Sequence, residues 1–146
     1  MFGKRKIHIS DILIYGRYYS LLEYEIIDPI YWFKLSDYKI YDGEKLIENG
    51  MFEDASHLKK SEQFIPLFKT DITKVEKDFV EQFCPNEKSV IDDIERANPS
   101  YNYDIAFREF IETHPLLENW FEFEYERLEH DAVRWCMVNG IRYSLK

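Results

Sequence analysis

The hydrophobic period of the chain changes near Thr70, and that change constrains the fold more than any single motif does. Before it, apolar residues come in short runs separated by turn formers. After it, they recur at helical spacing. Ile30 to Leu35 and Lys39 to Tyr41 read as two short strands joined by the loop Ser36-Asp37-Tyr38, and Asp42-Gly43 ends the second. Residues 44–62 are polar and irregular, with a turn at Asn49-Gly50, and Phe64 to Phe68 is a third run that Pro66 confines to a sheet edge. Further upstream, Ser10-Asp11 caps a first helix carrying Ile12, Leu13, Leu21 and Leu22, although an extended reading of residues 10–28 fits nearly as well. Pro29 ends whatever precedes it.

Past Thr70 and Asp71, both cap residues, Ile72, Val75, Phe79, Val80 and Phe83 mark a helix that Pro85 closes. Asn86 caps a second helix with Val90, Ile91, Ile94 and Ala97, and Asn98-Pro99 breaks it. Ala106, Phe107, Phe110 and Ile111 mark a third. The last and longest starts at His114-Pro115, and its expected apolar stripe is Leu117, Phe121, Leu128, Ala132, Trp135 and Asn139, with Trp120 at the edge. Gly140 stands where a left-handed cap belongs, and Ile141 to Leu145 is expected to rejoin the sheet. Strands first and helices later predict an α+β fold. Its small, mostly antiparallel sheet lies in the N-terminal half and packs against C-terminal helices. We expect one domain over residues 1–146, strand-rich to about 70 and helical over about 71–140.

From Ala106 onward the residues form a pattern: Ala106-Phe107-Arg108 with Phe110, then Pro115, Leu117, Trp120-Phe121 and Phe123, then Arg127-Leu128, Ala132, Trp135 and Gly140-Ile141. This resembles the bacterial uncharacterised protein family 0158 over roughly the last quarter of the chain. The layout before it, including Phe64-Ile65-Pro66 leading into the helix through Phe79, is a looser match. The resemblance implies no activity, because none is attached to the family. In the family the approach to the Ala-Phe-Arg segment is Gly-rich and basic. Here it is Tyr103-Asp104-Ile105, so an anion site there is not carried over.

Charge and composition narrow the function classes. The formal net charge is −9. Residues 1–70 hold 10 Lys/Arg against 11 Asp/Glu, and residues 71–146 hold 9 against 17, so the excess lies in the second half. Such a surface disfavours direct binding to nucleic acid, and it suits a basic protein partner or serves solubility. Met1 to Lys6 is polar and basic with no apolar core after it, and the densest apolar stretch, Leu21 to Leu35, is broken by Glu23, Glu25, Asp28 and Lys34. A cytoplasmic protein that does not enter membranes is the expectation. Cys84 and Cys136 sit in apolar helical patterns and read as reduced, buried thiols.

No catalytic constellation is legible. His8, His57, His114 and His130 are scattered, and Glu126 with His130, one helical turn apart, reads as an i,i+4 pair on a helix face rather than a metal site. Neither cysteine has the positive setting of a nucleophile; the acidic helix around Cys136 is expected to raise its pKa. There is no Gly-x-Ser-x-Gly elbow, phosphate loop or dinucleotide fingerprint, so no catalytic residue, metal or cofactor is assigned. Glu124 falls close to the apolar stripe of the last helix, where a carboxylate is costly unless paired. Three readings stay open: the helix turns so that Glu124 is only marginally buried, it pairs with Arg108 or Arg127, or it belongs to a functional pocket. Glu118, Glu122, Glu126 and Glu129 form an acidic ridge opposite the stripe, flanked by Phe123 and Tyr125. The leading functional expectation is a non-enzymatic interaction or regulatory domain that presents this ridge to a basic protein, in an immunity-type or mimic role. The rival is a small-molecule binder or enzyme with a pocket between sheet and helices that uses Tyr31 or Trp32. Pairing through the edge strand would give a weak homodimer in place of a monomer.

Overall fold

The computed structural model describes residues 5–18 and 30–145. In chain order the elements are β1 (Ile7–His8), α1 (Ile9–Ile12), a 3-10 turn over Leu13–Gly16, β2 (Arg17–Tyr18), β3 (Tyr31–Lys34), β4 (Lys39–Asp42), α2 (Gly43–Glu48), α3 (Ala55–Lys60) and β5 (Phe64–Pro66). Then follow β6 (Thr70–Asp71), α4 (Ile72–Phe83), a 3-10 turn over Pro85–Glu87, α5 (Lys88–Ala97), α6 (Tyr103–Ile111), α7 (Leu117–Asn139) and β7 (Tyr143–Ser144). Helix takes 59% of the described residues and strand 15%, with the sheet in the N-terminal half, so the fold is α+β with helix dominant.

The described residues fall into two compact units. The first comprises 5–16, 30–68 and 131–145, and the second 17–18 and 69–130. The break at Phe68–Lys69 lies beside the change of period, but the first unit also takes the end of α7 and β7.

In the first unit β3 pairs antiparallel with β4 on one side and β5 on the other, which leaves β5 at an edge, as Pro66 requires. Asp42 does not end the hairpin in a turn. Its side chain accepts from the Glu44 and Lys45 N–H groups and starts α2, and Asp54 starts α3 in the same way through His57 N–H. Residues 44–62, expected to be irregular, therefore hold two short capped helices, whose buried Leu46 and Leu58 join Trp32 and Phe64 in a core cluster. Phe33 meets Trp135 edge-on, with ring centroids 5.4 Å apart, and the Trp135 indole N–H donates to Pro66 O at 2.9 Å. Gly140, at φ +67°, closes α7: Ile141 N–H donates to Cys136 O at 2.9 Å and Gly140 N–H to Met137 O. β7 then pairs parallel with β1 in a separate two-stranded sheet, not with the three-stranded one. Ser10-Asp11 lies inside α1, not before it, while Leu21, Leu22 and Pro29 lie outside the described residues.

In the second unit β2 pairs parallel with β6, and the Asp71 carboxylate caps α4 through Lys74 N–H. Asn86 caps nothing; it sits within the 3-10 turn that leads into α5. Asn102 caps α6 through Ile105 N–H. Helix α7 begins at Leu117, two residues after Pro115. The core is aromatic: Phe79 packs on Phe83, Phe107, Trp120 and Phe123.

Gly16 belongs to the first unit's core. A Cβ added there would lie 2.1 Å from the Phe68 ring, which is itself buried. Gly16→Ala is expected to destabilise the protein by about 1–3 kcal/mol in urea unfolding, through overpacking.

Candidate functional site

The polar chemistry of the second unit gathers where α4, α6 and α7 place Glu76, Asp104 and Glu124. Glu76 stands one turn beyond Ile72 and one turn before Val80, on the apolar face of α4, and is 1% exposed. Asp104 shares the inner face of α6 with Phe107 and Ile111 and is 6% exposed. Arg108 reaches one turn back along α6 to Asp104, Nη2 to Oδ2, at 2.9 Å.

Glu76 Oε1 and Asp104 Oδ1 are the two buried side-chain oxygens, among the described residues, that no protein donor reaches. A proton on Glu76 resolves both. Burial pushes the Glu76 pKa up to about 10, a hydrogen bond to Asp104 and the negative fields of Asp104 and Glu124 add to the shift, and Arg108 opposes it. Glu76 is therefore a neutral acid at neutral pH.

Glu124 is paired, but with neither expected arginine. Its Oε2 lies 2.9 Å from Arg17 Nη2, which the β2–β6 pairing positions. Arg108 is taken by Asp104, and Arg127 by Asp78 at 2.9 Å with its guanidinium over the Phe123 ring. The expected Glu124–Arg108 pair is thus corrected: Arg17, over a hundred residues away in sequence, is the partner. Burial still raises the Glu124 pKa, with Arg17 acting against it.

The outer face of α7 also departs from expectation. Trp120 packs edge-on against Phe79 and Phe107, centroids 5.5 and 4.8 Å apart, and is buried. The inward stripe in this part of the helix is buried Trp120 and Leu128 with half-buried Glu124 between them, turned by about 50° from the expected one at 100° per residue. The turn places Phe121 outside, at 57% exposure, next to Tyr125 at 45%. Phe123, expected as a surface anchor, is half-buried against Phe79 and Phe83. Glu118, Glu122 and Glu126 are exposed and Glu129 is half-buried. With Phe121 and Tyr125 they span an arc of about 140°. Among the described residues no ion pair engages Glu118, Glu122, Glu126 or Glu129.

The other candidates are dispersed. His8 bonds Ser144, His57 bonds Asp54 and His114 bonds Glu87, while His130 and Glu126 line a small cavity of about 240 Å³ with Phe123 and Arg127. Among the described residues no group of three or more His, Cys, Asp or Glu side chains is placed to hold a metal ion. Cys84 and Cys136 are buried and unbridged, and burial, not the acidic helix, pushes the Cys136 thiol up to about 11. Trp32 is buried in the core and neither it nor Tyr31 lines any of the cavities described; the largest of these lies among helices, not between sheet and helices.

Comparisons of the chain with protein-family models, with curated proteins and with solved structures find no match.

Two predictions follow from the buried acids. Glu76 keeps its proton in the folded state up to about pH 10, whereas an unfolded glutamic acid loses it near 4.5. The stability this group contributes is complete below the unfolded value and is lost as pH rises toward the folded one. Glu76→Gln, which mimics the neutral acid, is expected to raise stability at pH 8 by about 1–3 kcal/mol and to flatten the pH dependence between pH 5 and 8, read by urea unfolding. Arg17→Met leaves the half-buried Glu124 without its cation and is expected to cost about 1–3 kcal/mol. Adding Glu124→Leu is expected to recover much of that loss in a double-mutant cycle.

Proposed function

We propose that this protein is a non-enzymatic interaction or regulatory domain that docks a basic protein partner on the outer face of α7. The observation that carries the reading is two large aromatic rings, Phe121 and Tyr125, one turn apart on the surface and bordered by exposed Glu118, Glu122 and Glu126, which no ion pair engages among the described residues. Exposed aromatic rings supply anchors that hold a partner, and unpaired carboxylates supply the long-range attraction that brings it in. A net charge of −9 acts in the same direction. The sharper form is an antagonist of a basic enzyme, immunity-type, or a mimic whose carboxylates stand in for phosphates.

Phe121 replaces Phe123 in this surface, and Glu129 contributes from its edge. The proposal includes membership of the bacterial uncharacterised protein family 0158, a cytoplasmic setting, and a monomer or weak homodimer. Among the described residues no helix is long and apolar enough to cross a membrane.

The test is a basic protein captured at low salt, repurified and titrated with the pure chain. Replacing Glu118, Glu122 and Glu126 by Gln is expected to slow association and flatten its salt dependence. Phe121→Ala with Tyr125→Ala is expected to speed dissociation by about tenfold or more, with stability changed by less than about 1 kcal/mol. A partner that binds all variants as it binds wild type would overturn the reading.

A further inference from the structure

The largest described cavity, about 720 Å³, lies in the second unit among α4, α5 and α6, away from the α7 face. Its charged lining has a pattern that the protein leaves unused. Lys77 and Glu81 stand one turn apart on α4, and Lys88 and Asp92 one turn apart on α5. At this spacing opposite charges can pair, less favourably with the lysine first. Neither pair forms, and among the described residues no ion pair engages any of these four or Glu95, which lines the same cavity. Both signs of charge therefore line one open groove without pairing with each other.

The wall between them is Tyr103, the first residue of α6. It is 8% exposed, lines the cavity, and among the described residues its hydroxyl makes no hydrogen bond. The ring is buried, but the hydroxyl is not among the buried unpaired oxygens, so it is open to a ligand or to water from the cavity. Lys77 Nζ stands 5.0 Å from its ring centroid, and Asp92 and Glu95 lie close enough for their fields to hold the phenol proton in place after burial has done so. Anion-binding and cation-binding groups thus meet at one ring. Val80 and Pro85 add apolar surface beside them.

We infer that this cavity binds a small zwitterion of the α-amino-acid type with an apolar side chain. Its carboxylate is held by Lys77 and Lys88, its ammonium by Asp92 and Glu95, with the Tyr103 hydroxyl donating to the carboxylate, and its side chain lies against Val80 and Pro85. A purely cationic ligand would meet the two lysines, and a purely anionic one the three carboxylates. A compact molecule with both charges pairs with both signs of the lining, whereas a one-charge ligand meets like charge beside its partner and leaves the other sign unmatched.

The probe is L-leucine, titrated into the full chain and read by amide chemical shifts in two-dimensional NMR at low ionic strength. Millimolar leucine is expected to shift residues of α4, α5 and the start of α6. The one-charge analogues 3-methylbutylamine and 4-methylpentanoate are expected to bind about tenfold more weakly or worse, since each forfeits charge-assisted hydrogen bonds. Lys88→Gln, at an exposed position, and Asp92→Asn, at a half-buried one, are expected to weaken leucine binding by a similar factor while the unfolding midpoint stays near that of wild type. The variant with Gln at 118, 122 and 126 is expected to bind leucine unchanged, so that failure at either surface is told from failure at the other. No shifts around the cavity with leucine, or binding of either analogue as tight as that of leucine, would overturn the inference.

Discussion

The packing of Trp120 against Phe79 and Phe107 settles more of the second unit than any other contact. An indole buries more surface than any other side chain on this part of α7, and edge-on contact with two phenyl rings adds to that burial. Once it points inward, the rest of the helix has no rotational freedom. Residue 124 must follow it inside, and residue 121 must turn out. The half-buried glutamate and the exposed phenylalanine are two consequences of one choice: the edge of the core accepts an ion pair at Glu124 in exchange for the indole. The surface proposed to bind a partner is thus a by-product of how the core is filled.

That exchange requires distant groups to arrive. Glu124 is tolerable at the edge of the core because β2 brings Arg17 to it, through a two-residue strand that pairs with β6. Asp104 is held by Arg108 from its own helix, which leaves the arginine largely in solvent. Among the described residues no ion pair engages Glu76, and burial beside Asp104 keeps its proton on. Three acids in one unit are accommodated by three different means: a remote ion pair, a local ion pair and a retained proton. The last makes this unit sensitive to pH without any histidine being involved.

The fold class was legible because the change of period near Thr70 is a property of local spacing. The hairpin, the edge strand with Pro66, the helix from Ile72 to Phe83 and the cap at Gly140 all follow from short-range rules. The two helices in residues 44–62 were missed because their polar residues hid two aspartate caps, and Asp42-Gly43 was read as a turn when Asp42 is an N-cap. At the site, Glu124 was legible as an anomaly of spacing. Glu76 and Asp104 carried the same signal, an acid at i,i+4 or i,i+3 from buried apolar residues, and it passed unread in shorter helices. Their partners were not legible, since nothing local connects Arg17 to Glu124.

By itself the sequence determined where the hairpin, the edge strand and the longer helices form, that the excess negative charge lies in the second half, and that Glu124 falls near an apolar face. Those properties depend on neighbours within a turn or two of the chain. Only the tertiary structure decided which way α7 turns, which arginine meets which acid, and that the lysines and acids of α4 and α5 share one cavity. Each of these is a competition among side chains from separate elements for the same buried space, and its outcome depends on volumes and distances that no stretch of sequence contains.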